Sequence, residues 1–376
     1  MDKNTEDLEL TAEEKLRLAA EQEISAKEEE DREDYEANQV FMTPGQMVLR
    51  RFMRNHLAVI GIIAIVFMFL FCFLGPLLSP YTETELFYVT NVEDYPDSPL
   101  RYYRTKAVEN AGRSMTVYYD MHTGEEFSTV PTDIILLTRA KPSLTHWLGT
   151  NEMGQDMFTR LMYGGRISLM LGFVVVIVEL LIGVSMGGLA GYYGGKVDMI
   201  IMRMVEIFQS IPFIPLMLII ASFLITMKVN ARDKIFFTMF IMGVIYWAGV
   251  ARMVRGSMLS VREMEYMQAA EATGIRTSRK IFKHMVPNIM PIIIVMATMD
   301  LGSVILMEST MSFLGIGVGA PYASWGNMVS AVNSPIVMRS CPYLWIPPGI
   351  CILITVMAFN FIGDGLRDAF DPKMKR

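Results

Sequence analysis

Three carboxylates, Glu179, Asp300 and Glu308, stand inside otherwise apolar runs of this sequence. Ionising a side chain in hydrocarbon costs about 2.5 kcal/mol or more, so such groups meet a partner, line a watery path or relay protons. Proton relay would suit a proton-coupled secondary transporter. Glu308 reads equally as a structural group at a helix junction, Asp300 lies two turns before it, and Glu179 belongs to no motif. Signatures of other chemistry are missing. The Gly195–Lys196 pair is followed by Val197, so it opens no phosphate-binding loop. The histidines His56, His122, His146 and His284 are scattered and read as interface or loop residues. No His-Glu-x-x-His or metal-spaced Cys/His set occurs, and Cys72, Cys341 and Cys351 cannot make a disulfide framework. No catalytic, cofactor-binding or metal residue is assigned.

The elements that hold these carboxylates follow from composition. Of 376 residues, 52% are hydrophobic and 19% charged. Residues 1–36 alone hold 15 acidic and 5 basic side chains, which leaves the rest mostly apolar and slightly basic. This excludes a soluble enzyme core, a nucleic-acid binder and a disulfide scaffold, and predicts a polytopic membrane protein with an acidic tail over 1–50. Six spans are expected. The first, 57–78, is an uncleaved anchor introduced by Arg50, Arg51 and Arg54. The others are Ile167–Ala190, Ile207–Met227, Ile235–Ala251, Pro287–Met307 and Leu344–Ile362. Seven Lys/Arg in 251–284 and four in 367–376 place both termini in the cytoplasm, against Lys228, Arg232 and Lys234, which fall on the other side.

Outside the spans, Thr11 and Glu14 have capping-box spacing in an otherwise solvated tail. Residues 81–146 form an extracytoplasmic insert, in which Met115–Asp120 and Glu126–Val130 flank a His122–Gly124 turn and predict a β-hairpin. Gly183, Gly187, Gly191 and Gly195 recur every four residues and predict a small-residue face for tight helix packing. Pro212 and Pro215 should kink the third span, and Pro347–Pro348 suit the first turn of the sixth. The 33 methionines read mainly as adaptable filler. The run Glu265–Gly274 predicts a short helix stopped by its glycine, with Ala269 and Ala270 presented, followed by a basic helix Ser278–Met285 that ends at Pro287. Two readings of this knob stay open: docking in a groove of another protein, or lying on lipid headgroups.

The run "EYMQAAEATGIRTSRKIFKHMVPN" (Glu265–Asn288) resembles the EAA loop of binding-protein-dependent ABC importer permeases. Around it stand "HWLGTNEMGQDMFTRLMYGGRISL" (His146–Leu169), "GYYGGKVD" (Gly191–Asp198) and "YWAGVARMVRG" (Tyr246–Gly256). "MESTMSFLGIGVGAP" (Met307–Pro321), "SWGN" (Ser324–Asn327) and "FNFIGDGLRDAFDP" (Phe359–Pro372) follow. Together they look like the C-type permease subunit of the dipeptide/oligopeptide/nickel group, over about 146–372 plus the first span. Gln268 stands where the triplet usually opens with Glu, and Trp147, Asn151 and Gln155 stand where Pro, Asp and Arg are usual.

The resemblance implies an all-α, type I (MetI-like) permease with six transmembrane helices, its permease domain over 164–365, and a short C-terminal tail, 366–376. It implies half of an oligopeptide channel in a bacterial cell membrane, with dipeptides or nickel as alternatives. The partners implied are a homologous second permease, two ATP-binding subunits and an extracellular substrate-binding protein, so ATP is used by other chains. Within the coupling segment 263–287, the ATPase-docking role falls on Glu265, Gln268, Ala269, Ala270, Gly274 and Pro287.

Overall fold

A computed structural model describes residues 43–89, 103–110, 113–120, 126–131 and 135–371. The expected acidic helix near Thr11 and the 372–376 end of the tail lie outside the described residues. The chain divides into two units, Met1–Arg51 and Phe52–Arg376. In the first, residues 43–51 are described and enter helix α1 (Pro44–Arg54).

In the second unit α2 (His56–Phe73) is apolar after its first residue and capped by Asn55, whose side chain accepts the Leu57 and Ala58 amides. A short turn, α3 (Gly75–Leu78), follows. The insert then begins with β1 (Tyr88–Val89) and continues through β2 (Tyr103–Asn110), β3 (Arg113–Asp120) and β4 (Glu126–Pro131) to β5 (Ile135–Leu136). β3 pairs antiparallel with both β2 and β4, and β1 with β5. The turn expected at His122–Gly124 lies outside the described residues.

The helical bundle starts with α4 (Met157–Tyr193), where Asp156 accepts the Thr159 amide at 2.7 Å and also faces His146 Nδ1 at 2.9 Å. His146 is therefore a buried structural partner of a helix cap. α5 (Gly195–Ser210) and α6 (Phe213–Thr226) replace the expected third span, and meet at 77° across Ile211–Pro212. Proline cannot donate to the helix ladder, so the break falls at the first of the two expected prolines. α7 (Ala231–Arg262) leads to α8 (Glu265–Ala272). The chain then re-enters the bundle through α9 (Thr277–Arg279), a π-helical segment Lys280–Met285 and α10 (Val286–Phe313).

Here the structure corrects the sequence reading: Pro287 does not end a helix but sits in the first turn of α10, and the path Thr277–Phe313 is unbroken. The wide π turn relieves the clash that a proline ring makes with the carbonyl four residues earlier. α11 (Trp325–Val329), a 3₁₀ turn (Ser330–Asn333) and α12 (Pro335–Ser340) form a polar crossing before α13 (Pro342–Phe370). Pro342, not Pro347–Pro348, takes the first helical position, because the helix begins five residues before Pro347.

Among the described residues, five helices are long and apolar enough to cross a membrane, and the bent α5–α6 pair makes a sixth span if counted as one. The core lies between α4, α7, α10 and α13, while Ile60, Ile63, Phe67 and Leu70 of α2 remain exposed, as a lipid-facing or partner-facing helix requires. Cys72, Cys341 and Cys351 are free thiols.

Candidate functional site

The segment 263–287 is built on a stop and a brace. α8 buries Met267 and Ala270, three residues apart, and Met267 packs in one apolar cluster with Val261, Met285 and Ile289. Its other face exposes Glu265, Gln268, Ala269 and Ala272, the spacing of one helical stripe. Ala269 is thus presented as expected, but Ala270 is not: it is 8% exposed and belongs to the chain's own packing. Adjacent residues on a helix point about 100° apart, which lets Ala269 face outward while Ala270 is buried.

Gly274 closes the helix with φ +70°. Its amide donates to the Glu271 carbonyl at 3.0 Å and the Ile275 amide to the Ala270 carbonyl at 3.2 Å, the paired bonds of a Schellman cap. A Cβ at Gly274 would meet open space, so a substitution there costs conformational strain without a clash. Gly274→Val should therefore lower the thermal stability of this segment by about 1–2 kcal/mol, with Gly274→Asn losing less. Equal loss in both variants would show that the left-handed backbone is not what the position requires.

Side chains tie α8 to the spans. Asn288 Nδ2 of α10 donates to the Tyr266 hydroxyl at 3.0 Å, and Lys280 lies 3.7 Å from Glu271. Tyr192, near the end of α4, contacts Thr277 at 3.4 Å, and its ring lies under the Lys280 ammonium. One further tie escaped the sequence reading. Arg255 of α7 grips both carboxylate oxygens of Asp198 on α5, one of them at 2.6 Å. The only sequence hint was that each residue stands in one of the quoted motifs.

The glycine face divides. A Cβ at Gly183 would lie 2.4 Å from Val250, at Gly187 2.4 Å from the Ala251 carbonyl and at Gly191 2.6 Å from Met258, so α4 and α7 pack backbone to backbone there. Gly195 does not join them. The chain leaves α4 at Gly194, φ +64°, and Gly195, φ +51°, opens α5 with nothing near it.

Glu308 is 1% exposed. It accepts from Ser312 Oγ at 2.6 Å and Ser168 Oγ at 3.2 Å, and Ser168 Oγ in turn accepts the Trp325 amide at 3.2 Å. That is a junction holding α4, α10 and α11 together, not a pathway surface. Asp300 is half-buried on α10. Glu179 is 3% exposed, and its Oε1 has no hydrogen-bond partner. The unusual Asn151 and Gln155 meet each other, Asn151 Nδ2 donating to Gln155 Oε1 at 2.9 Å.

Comparison with known proteins accounts for this arrangement. Residues 180–376, more than half of the chain, match the family described as "Binding-protein-dependent transport system inner membrane component". The chain belongs to that family. Residues 43–96 of this membrane component also match "N-terminal TM domain of oligopeptide transport permease C". It is 33% identical, over 93% of its own length and 92% of the relative's, to the "Dipeptide transport system permease protein DppC" of Bacillus subtilis (strain 168). It is 38% identical to the "Oligopeptide transport system permease protein OppC" of the same organism, over 70% of this chain and 82% of that one. A third relative, the "Dipeptide transport system permease protein DppC" of Alkalihalophilus pseudofirmus, is 42% identical over 62% and 74% of the two chains. The permease is thus a multi-pass membrane protein of ABC importer type, with the helical fold its sequence led one to expect.

Proposed function

We propose that this permease forms half of the translocation pathway of an importer for oligopeptides, beside a homologous second permease. Two ATP-binding subunits would drive it and an extracellular substrate-binding protein would supply cargo. The printed names of its relatives, dipeptide and oligopeptide permeases, support a peptide cargo, with dipeptides the alternative. Both termini and α8 lie in the cytoplasm in this reading, on the strength of the basic residues in 251–284 and 367–376. The insert, the start of α4 and the α11–α12 crossing then face outward.

The observation that carries the mechanism is the exposed stripe Glu265–Gln268–Ala269–Ala272 on a helix braced to α7 and α10. A partner that closes around this stripe moves two spans with it, because the brace leaves α8 no independent hinge. Gln268 offers an amide where the family's triplet usually carries a carboxylate, and its Nε2 donates to the Glu263 carbonyl at 3.4 Å.

The test is assembly and sidedness. The chain alone should neither hydrolyse ATP nor move solute down a proton gradient in liposomes, and should copurify with a second permease and ATPases. A cysteine at exposed position 144 should label from outside intact cells and one at 269 should not. ATP hydrolysis by the isolated chain, or the reversed labelling pattern, would refute the assignment.

A further inference from the structure

The end of the bundle that carries the insert holds a cavity of about 370 Å³, walled by Asn151 and Glu152, by Arg160 of α4, and by Asn327, Ser330 and Asn333 of the α11 crossing. That volume lies within the usual range for small-ligand sites. Most polar walls are already satisfied by the chain itself. Asn151 Oδ1 accepts the Met153 and Gln155 amides, Asn327 Nδ2 donates to the Val318 and Tyr322 carbonyls, and Asn333 Nδ2 donates to Phe313. Glu152 pairs with Arg139. These bonds fix the shape of the cavity and leave its walls little spare valence.

Arg160 is the exception. Its residue is 6% exposed, yet its guanidinium makes one hydrogen bond, Nη1 to the Pro321 carbonyl at 2.9 Å, while the buried Nε has no partner. No ion pair to it exists among the described residues. The carboxylate that acts on it electrostatically, Glu83, is spent on the Ala323 amide at 2.7 Å, and burial pushes the Glu83 carboxyl above its usual range despite that bond. A buried guanidinium with no direct ion pair and an unpartnered Nε is costly, and an anion that bonds to it would relieve that cost. The planar fork of arginine matches a carboxylate.

We infer that this cavity is an entry site for short peptides, in which Arg160 receives the C-terminal carboxylate of the cargo. The inference rests on the proposed peptide cargo and adds the group that the permease itself recognises. A carboxylate of a docked protein would present the same chemistry, but a concave cavity of this size with preset walls fits a small ligand better than a protein surface.

The test uses the whole transporter reconstituted with its binding protein, and compares uptake of trialanine with uptake of trialanine amide. Any preference of the binding protein cancels when the acid-to-amide ratio of a variant is divided by that of the wild type. R160Q should lower this ratio about tenfold or more, the loss expected for one charge-assisted bond. R160K keeps the charge without the fork and should lower it less. If R160Q does not assemble, R160K alone decides, since an unchanged ratio overturns the site. Acid and amide falling together in R160Q would assign Arg160 to protein docking or to folding and overturn the inference. Failure of the wild type to take up either tripeptide would instead defeat the peptide reading, and the inference with it.

Discussion

Replacing Ala269 by Arg is expected to reduce ATP-driven uptake by about 100-fold while leaving the chain in the membrane at its normal level. Ala269 is exposed at the centre of the α8 stripe, so the substitution costs the isolated chain little, within about 0.5 kcal/mol. Against a closely docked partner, the same side chain brings steric conflict and a charge without a counter-ion. Cargo-stimulated ATP hydrolysis should fall in parallel. Ala270→Glu is the instructive contrast. Ala270 is itself buried, so a carboxylate there should lower the amount of folded protein before coupling is tested. Wild-type uptake by the Ala269→Arg variant would remove α8 from the coupling role.

Gly187→Val should destabilise the bundle by about 3 kcal/mol, read as a lower melting temperature in detergent and a smaller membrane-inserted fraction. The added Cβ would stand 2.4 Å from the Ala251 carbonyl, and a backbone atom cannot rotate away. The helices must separate, and the contacts at Gly183 and Gly191 loosen with them. Gly249→Ala, on the exposed side of α7 with nothing within 4 Å, should be neutral or slightly stabilising. Equal stability of the two variants would mean that α4 and α7 do not approach as closely as drawn.

Much of this was legible in the chain. Apolar runs marked the spans because a helix must satisfy its backbone internally in lipid, and Gly274 marked a stop because a left-handed residue is needed there. Other features needed the third dimension. The four-residue glycine rhythm runs on to Gly195, but the helix has already ended, and spacing alone carries no record of that turn. Nothing in Gln268-Ala269-Ala270 says which alanine is buried, since that depends on what the rest of the chain packs against the helix. The Arg160 cavity draws its walls from separated segments whose asparagines and serines resemble ordinary loop residues.

The unbroken path from Thr277 to Phe313 has a mechanical meaning. At about 1.5 Å per residue, it makes a beam roughly 55 Å long, gripped near one end by α8 and near the other by the Glu308 junction. Over such a length, a tilt of about 5° at one end displaces the other by about 5 Å. The loop end therefore need supply only a small angle to shift the crossing that walls the Arg160 cavity. The π turn and Pro291 are the places where the beam can flex and so set how much of that angle arrives.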